Sequence, residues 1–384
     1  MKVFYSDPFE LPLPDGHRFP LEKYRLLREH LQQSELAASL EFELSEAATD
    51  EQLLRVHTPR YLEQLRTGQL TAVEQRRIGF PWSAAMVERS RRSTGATLGA
   101  ARAALRKGAA IHLAGGTHHA FADHGQGFCV FNDVAVAIRT LQAEGLLQRA
   151  VVVDLDVHQG NGTAAIFADD PDVFTFSIHG DRNFPFAKCN GDLDVALPDG
   201  TDDTAYLNAL MEVFPARVPL ENTDCVFYLA GADPYAGDRY GRLKLTQAGL
   251  AARDYRVLSI CRRRQLPVVV TMAGGYATNL EDIVQINTNT VALTVRAAEQ
   301  SGLPSEEELR EETLRLVAAR GRGKTICPSE VARQLSPQAD WRPLMPAIRG
   351  VALDLIRNGQ LVATQHHLPI DLQTARGPYR LGSP

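Results

Sequence analysis

The chain has 384 residues, 44% of them hydrophobic and 23% charged, with a net charge of −5, which is ordinary for a soluble globular protein with a large core. Its five cysteines (Cys129, Cys189, Cys225, Cys261 and Cys327) are scattered without a C-x-x-C pair. That excludes a disulfide framework or a cysteine-ligated zinc and points to a reducing compartment. No secretory signal opens the sequence, and no run approaches the ~18 apolar residues of a membrane span, so a cytoplasmic protein with no membrane partner is expected.

Taken in chain order, helical patterns and apolar runs alternate. A helix is expected around Ala85–Lys107, followed by a strand over Ala110–Ala114 that runs into Gly115-Gly-Thr-His-His119. A second helix, Asp133–Leu147, leads to a strand over Val151–Leu155, and a third strand over Val173–Ser177 reaches His179. After a helix at Thr204–Val218 comes Cys225–Leu229, which enters Gly231-Ala-Asp233. A helix at Thr246–Arg264 precedes Val268–Met272, which ends in Ala273-Gly-Gly-Tyr276. Valine-rich runs without alternation are strands buried on both faces, and strands alternating with helices predict an α/β domain around an open, mostly parallel sheet with helices on both faces. Such sheets bind ligands beyond the carboxyl ends of their strands. Five strands delivering His, Asp and Tyr to one edge therefore read as an active site.

From about residue 304 the pattern changes. Helices are expected over Thr313–Arg320, Pro328–Leu335 and Trp341–Arg357, with a two-stranded ribbon from Gln360–Thr364 and Gly377–Leu381. Residues 313–384 carry ten Lys+Arg and four Asp+Glu, net +6, whereas the preceding 312 residues carry 31 and 42, net −11. Two units are expected, 1–303 and 304–384, the second small, basic and winged-helix-like. That outline permits nucleic-acid binding and equally a protein-docking or dimerisation role.

The densest chemistry lies in Val151–Thr163. Asp154, Asp156 and His158 interrupt an apolar run at spacing two, so an extended backbone points all three to one face. Two carboxylates and an imidazole in an apolar setting cost several kcal/mol unless compensated, and a divalent cation is the simplest compensation. Asp156, His158 and Asp233 together supply two oxygen anions and one nitrogen, the three-ligand set of an open catalytic zinc site. Spacing nominates Asp154 as a further ligand. The tandem His118 and His119 suit a general base and acid pair, and Tyr276 after two glycines is a candidate donor to a developing oxyanion. His366 and His367 lack a glycine lead-in and a strand end, and read as surface.

These residues resemble the motif set of the histone deacetylase family, which includes acetoin-utilisation proteins and acetylpolyamine amidohydrolases. The resemblance rests on Gly115-Gly-Thr-His-His-Ala120, Gly127-Phe-Cys129 with Asn132-Asp133, Asp154-Leu-Asp-Val-His-Gln-Gly-Asn161, Ala230-Gly-Ala-Asp233 and Gly274-Gly-Tyr276. His17-Arg-Phe-Pro20 and His57-Thr-Pro-Arg-Tyr-Leu62 resemble its N-terminal elements, and the form of the His158 motif is most similar to the class IV-type branch. The resemblance implies an arginase/deacetylase-like fold and zinc-dependent hydrolysis of an N-acyl amide, acyl-lysine on proteins or else a small acetylated amine such as an acetylpolyamine. It makes Asp156, His158 and Asp233 the metal ligands, which iron(II) would also fit, and it moves Asp154 to a supporting place behind His118. Asn161 would orient His119, leaving it a readier proton donor than an aspartate would. Phe128 with Gly127, and Phe184, would line the substrate tunnel, Tyr240 would stand at its rim, and backbone carbonyls around Asp154–His158 and Ser177 would hold a potassium ion. Ala273 stands where many relatives have glycine. The tail resembles a small bacterial domain family through Thr325–Arg333, Trp341–Met345 and Ala375–Pro378.

Overall fold

The computed structural model describes residues 1–299, 302–336, 341–375 and 377–384. Arg376, inside the last of the tail motifs named above, lies outside the described residues. Residues 1–299 fold around eight strands: β1 (Lys2–Tyr5), β2 (Glu41–Leu44), β3 (Ala109–His112), β4 (Ala150–Asp154), β5 (Val173–Gly180), β6 (Leu193–Leu197), β7 (Cys225–Leu229) and β8 (Val268–Thr271). They form one sheet in the order β2-β1-β3-β8-β7-β4-β5-β6, and every pairing in it is parallel. The sheet is thus wholly rather than mostly parallel.

The central strands are buried along their whole length, as their unbroken apolar runs require. Helices cover both faces. The helix Ala84–Lys107 is held between a Ser83 N-cap and Gly108, which takes the left-handed conformation at φ 87°. Its alanines Ala96, Ala100, Ala101, Ala103 and Ala104 let it lie close to the sheet. On the other face the helices Gln247–Arg263 and Leu280–Ala298 are buried over most of their lengths.

The tail forms a helix over Glu306–Arg320, which extends back through the charged joint, then helices Pro328–Leu335 and Met345–Arg357. Its sheet is larger than the ribbon expected. Strands β9 (Thr325–Ile326), β10 (Val362–Gln365), β11 (Leu368–Pro369) and β12 (Arg380–Gly382) pair antiparallel in the order β11-β10-β12-β9. The tail packs on the large unit, because its buried Leu309, Val317, Ile348 and Leu355 belong to the same hydrophobic cluster as Val257 and Val291. Polar contacts cross the same joint: Arg296 Nη2 donates to Ser336 Oγ at 2.8 Å and Arg256 Nε to Glu306 Oε1 at 2.7 Å. Among the described residues no helix is long and apolar enough to cross a membrane.

Candidate active site

The site is built where β3, β4, β7 and β8 end. Beyond β4, Asp156 and His158 are buried, and beyond β7 Asp233 is fully buried. Asp156 Oδ1 accepts from the His158 backbone N–H at 2.9 Å and Oδ2 from Gly274 N–H at 2.7 Å, while Asp233 Oδ1 accepts from Val157 N–H at 2.9 Å. One candidate ligand atom from each of Asp156, His158 and Asp233 lies within 4.8 Å of the others. Asp233 Oδ2 is buried without a hydrogen-bond partner; His158 Nδ1 stands 3.2 Å away, a charge contact lacking hydrogen-bond geometry. A Cβ on Gly274 would come within 1.9 Å of that oxygen and 2.5 Å of Asp156 Oδ2, so glycine keeps the cradle open.

Electrostatics point the same way. Burial, and then the neighbouring Asp156 charge, push the Asp233 carboxyl up to about 7. Burial works against a charged His158, yet its contacts with Asp156 and Asp233 raise it to about 10. The cluster calls for positive charge, and two carboxylates with one imidazole fit a divalent cation.

Behind the cradle runs a hydrogen-bonded chain. Asp154 Oδ2 lies 2.7 Å from His118 Nδ1, His118 Nε2 lies 3.1 Å from His119 Nε2, and His119 Nδ1 lies 2.8 Å from Asn161 Oδ1. Asp154 bonds to His118 and to the Asp156 backbone N–H, and the group of mutually close candidate ligand atoms comprises Asp156, His158 and Asp233 without it. The two histidines are driven apart. Burial opposes charge on both, but Asp154 and Asp156 raise His118 to about 9. His119, buried beside the His118 and His158 charges, falls well below the usual imidazole range, with Asn161 giving partial support. Asn161 Nδ2 is itself placed by Gln126 Oε1 at 3.3 Å.

Tyr276 faces the cradle from the end of β8, its ring centroid 6.5 Å from that of His158. Burial, ahead of nearby charges, lifts its phenol well above the usual range, so the hydroxyl keeps its proton. Asp238 positions this segment: Oδ2 accepts from Tyr276 N–H at 2.6 Å, and Oδ1 from the Tyr240 and Gly241 N–H groups at 2.8 and 2.9 Å. Lys23, also buried, donates to the Gly275 carbonyl at 3.0 Å and lies 5.1 Å from the centroid of the Tyr276 ring. Neither Asp238 nor Lys23 was foreseen. Asp238 lies only two residues before Tyr240, but its contact with Tyr276 N–H spans 38 residues, and no spacing signals the contact of Lys23 across 252 residues.

Above the cradle opens a cavity of about 480 Å³, lined by His119, His158, Tyr276, Gly127, Phe128, Phe184 and Tyr240 among others. Phe184 meets His119 edge-on at 5.0 Å between centroids, and Phe128 lies on the opposite wall, 6.1 Å from Tyr276. Gly127 sits at φ 55°, where a Cβ would be 2.7 Å from the His119 ring, so glycine is required twice over. Tyr240 stands 5.2 Å from the Tyr276 ring.

One expectation needs correction. His179 does not reach the cavity: it is buried with Nδ1 2.9 Å from Ser177 Oγ, because β5 runs on to Gly180 and keeps it inside the sheet. The loop beyond β5 contributes Asn183 and Phe184 instead. The Leu155 carbonyl accepts from Arg253 Nη1 at 3.1 Å. Ala273 sits at φ 48°, a left-handed conformation that favours glycine.

An eight-stranded parallel sheet with this cluster at its carboxyl edge is the arrangement of a deacetylase, and the chain belongs to the histone deacetylase family: the "Histone deacetylase domain" model matches residues 17–292. It is a hydrolase of amide bonds. It is similar to an uncharacterized protein of Picosynechococcus, 45% identical over 73% of this chain and 94% of the relative. The histone deacetylase-like amidohydrolase of Pseudomonas aeruginosa is 31% identical over 69% of this chain and 74% of its own. Among solved structures, an HDAC homologue complexed with SAHA superposes with a TM-score of 0.64 at 25% identity, covering 77% of this chain and 83% of the other. Residues 306–384 match a family described as "Protein of unknown function (DUF3253)".

Proposed function

We propose that the chain hydrolyses the N-acyl amide of an acyl-lysine carried by a protein or peptide, with zinc held by Asp156, His158 and Asp233. The observation that carries this reading is the paired arrangement of an oxygen-rich, partner-deficient cradle and a polarised histidine couple at the floor of one apolar-walled cavity. When bound, zinc would supply Lewis acidity toward the acyl oxygen and lower the pKa of water. His119, held neutral beside the His118 that Asp154 orients and charges, would accept the proton that leaves water. His119, at the cavity floor where Asn161 fixes its ring, would return a proton to the departing amine. The Tyr276 hydroxyl, kept protonated by burial, would donate to the developing oxyanion. Phe128 and Phe184 would enclose the aliphatic stem and exclude water around it.

The tail has a different role in this reading. Four of the ten basic residues of 313–384 pair with carboxylates, Arg315 with Glu312, Arg320 with Glu330, Arg342 with Glu35 and Arg357 with Asp354, and Arg349 and Arg380 donate to backbone carbonyls. Paired arginines make a poor phosphate-binding face, so we infer a packing or protein-docking module, winged-helix-like in outline, over a nucleic-acid reader.

The test is amine release from acetyl-lysine and longer acyl-lysine peptides by the zinc-loaded protein, with chelator and Tyr276→Phe as controls. Turnover abolished by chelator and sharply reduced in the variant is expected. Chelator-insensitive turnover, or wild-type rates in Tyr276→Phe, would overturn the mechanism.

A further inference from the structure

The mouth of the cavity carries a charge that the reaction does not call for. Five arginines line it, Arg18, Arg76, Arg77, Arg182 and Arg242, and the lining contains no aspartate or glutamate. All five are exposed. Arg182 and Arg242 share one carboxylate, Asp199, at 3.1 and 3.2 Å. Arg18, Arg76 and Arg77 make no ion pair among the described residues; Arg18 only lies 5.8 Å from the Phe128 ring centroid. The rim is therefore strongly positive, although residues 1–312 carry a net charge of −11.

Helix ends alone do not explain this. Arg76 and Arg77 do occupy the last turn of the helix Ala72–Ile78, where cations complement the dipole. Arg18, Arg182 and Arg242 come from three other segments and converge on the same opening. The rim is also tied to the tunnel wall: Gly127 N–H donates to the Arg77 carbonyl at 3.0 Å and Phe128 N–H to that of Ile78 at 2.7 Å.

We propose that this arginine ring selects the substrate, favouring an acyl-lysine flanked by carboxylates in an acidic peptide segment and rejecting acylated polyamines. The inference rests on the amidohydrolase reading above and narrows its substrate class. With the amide at the floor among His119, His158 and Tyr276, the anion that meets the rim belongs to the carrier of the amine and not to the acyl group. Guanidinium forks match carboxylates in a two-pronged geometry, and the field of several unpaired arginines also speeds encounter with an anionic partner. A polyamine would bring its free ammonium groups against the same field.

The experiment compares acetyl-lysine peptides identical except for flanking Glu, Ala or Lys, together with acetylspermidine. The enzymes are zinc-loaded wild type and the double variant Arg76→Glu/Arg77→Glu. In wild type at low salt, kcat/KM is expected to be roughly tenfold or more higher for the Glu-flanked than for the Lys-flanked peptide, shrinking toward unity at high salt, with acetylspermidine the poorest. The double variant is expected to invert the Glu-to-Lys ratio, a readout internal to each protein and so independent of its yield. A ratio near one in wild type, an unchanged ratio in the variant, or preference for acetylspermidine would overturn the proposal. Binding of the same labelled peptides to zinc-loaded Tyr276→Phe separates the two readings. If no peptide is hydrolysed, the amidohydrolase reading fails, and equal Kd values for Glu- and Lys-flanked peptides would sink the arginine ring by itself.

Discussion

The two ends of the chain bury opposite kinds of residue. At the carboxyl edge of the large sheet, Asp154, Asp156, Asp233, His118, His119 and His158 are all buried and stacked against one another. In the tail, buried positions are almost wholly apolar, with Thr313 and Ser336 the buried polar exceptions among the described residues. Its tandem histidines, His366 and His367, lie exposed in the turn between β10 and β11 at φ 51° and 68°. The tail is packed as a core is packed, at no electrostatic cost. The sheet edge carries a cost of several kcal/mol per buried charge, which the cation and reaction proposed above would offset. Buried, mutually opposed titratable groups mark where the chemistry is.

The sharpest way to break that contrast is to remove a proton carrier from the buried cluster. His119→Ala is expected to lower kcat by roughly 10²–10⁴-fold, as for loss of a general acid. Tyr276→Phe should follow at roughly 10²–10³-fold, with zinc content and melting temperature close to wild type. Single-turnover amine release with metal content measured in parallel checks both, and near-wild-type rates in a zinc-loaded variant would remove that residue from the reaction. Asp154→Asn acts one step back, through His118, and is expected to cost roughly 10–100-fold with a shifted pH profile.

Much of this was legible from the residues alone, for identifiable reasons. Period-two spacing put Asp154, Asp156 and His158 on one face because β4 is extended, and valine-rich runs located all five central strands because they are buried on both sides. What stayed hidden was either broken by charges or non-local. β1, β2 and β6 are no shorter than the strands that were found, but Lys2, Glu41, Glu43 and Asp194 interrupt their apolar runs. What Asp154 touches depends on side-chain direction, which spacing does not carry: its Oδ2 lies 2.7 Å from His118 Nδ1. Lys23, Arg76 and Arg77 reach the site only through tertiary folding. The overextended expectation for His179 came from treating every strand end alike, when β5 continues three residues further than its apolar run.

From the other region, Ile348→Ala or Leu355→Ala in the tail should destabilise the whole chain by about 2–5 kcal/mol, as fully buried aliphatic truncations do. Because the two cores are continuous, denaturation is expected to remain one transition, and kcat per zinc-loaded folded molecule should stay at the wild-type value. Two separate transitions by fluorescence and circular dichroism would show that the tail folds independently.

The smallest effect concerns buried groups that serve the scaffold, and it bears on whether burial of a titratable group always signals catalysis. His57 is buried with Nδ1 3.1 Å from the Phe121 carbonyl, while its Nε2 accepts from Asn132 N–H at 3.1 Å. That geometry requires the neutral ring, and burial, against weaker help from backbone carbonyls, holds the imidazole down to about 4. A histidine depressed in the folded state is protonated first in the unfolded chain. Its contribution is therefore complete above the unfolded value of about 6.5 and is lost progressively as pH falls from there toward 4. At pH 5.5 the loss is about 1.4 kcal/mol, before any relaxation of the site. Urea melts of metal-free protein at pH 8 and 5.5 should show this drop in wild type, and a shallower one in His57→Gln, which has no imidazole to protonate. Equal pH slopes would mean that His57 is protonated equally in both states. In that case its hydrogen bond from Asn132 would not persist in solution, and the helix start formed by Asn132 and Asp133, which ties down Gly116 and Thr117 ahead of the histidine pair, would be looser than the structure shows.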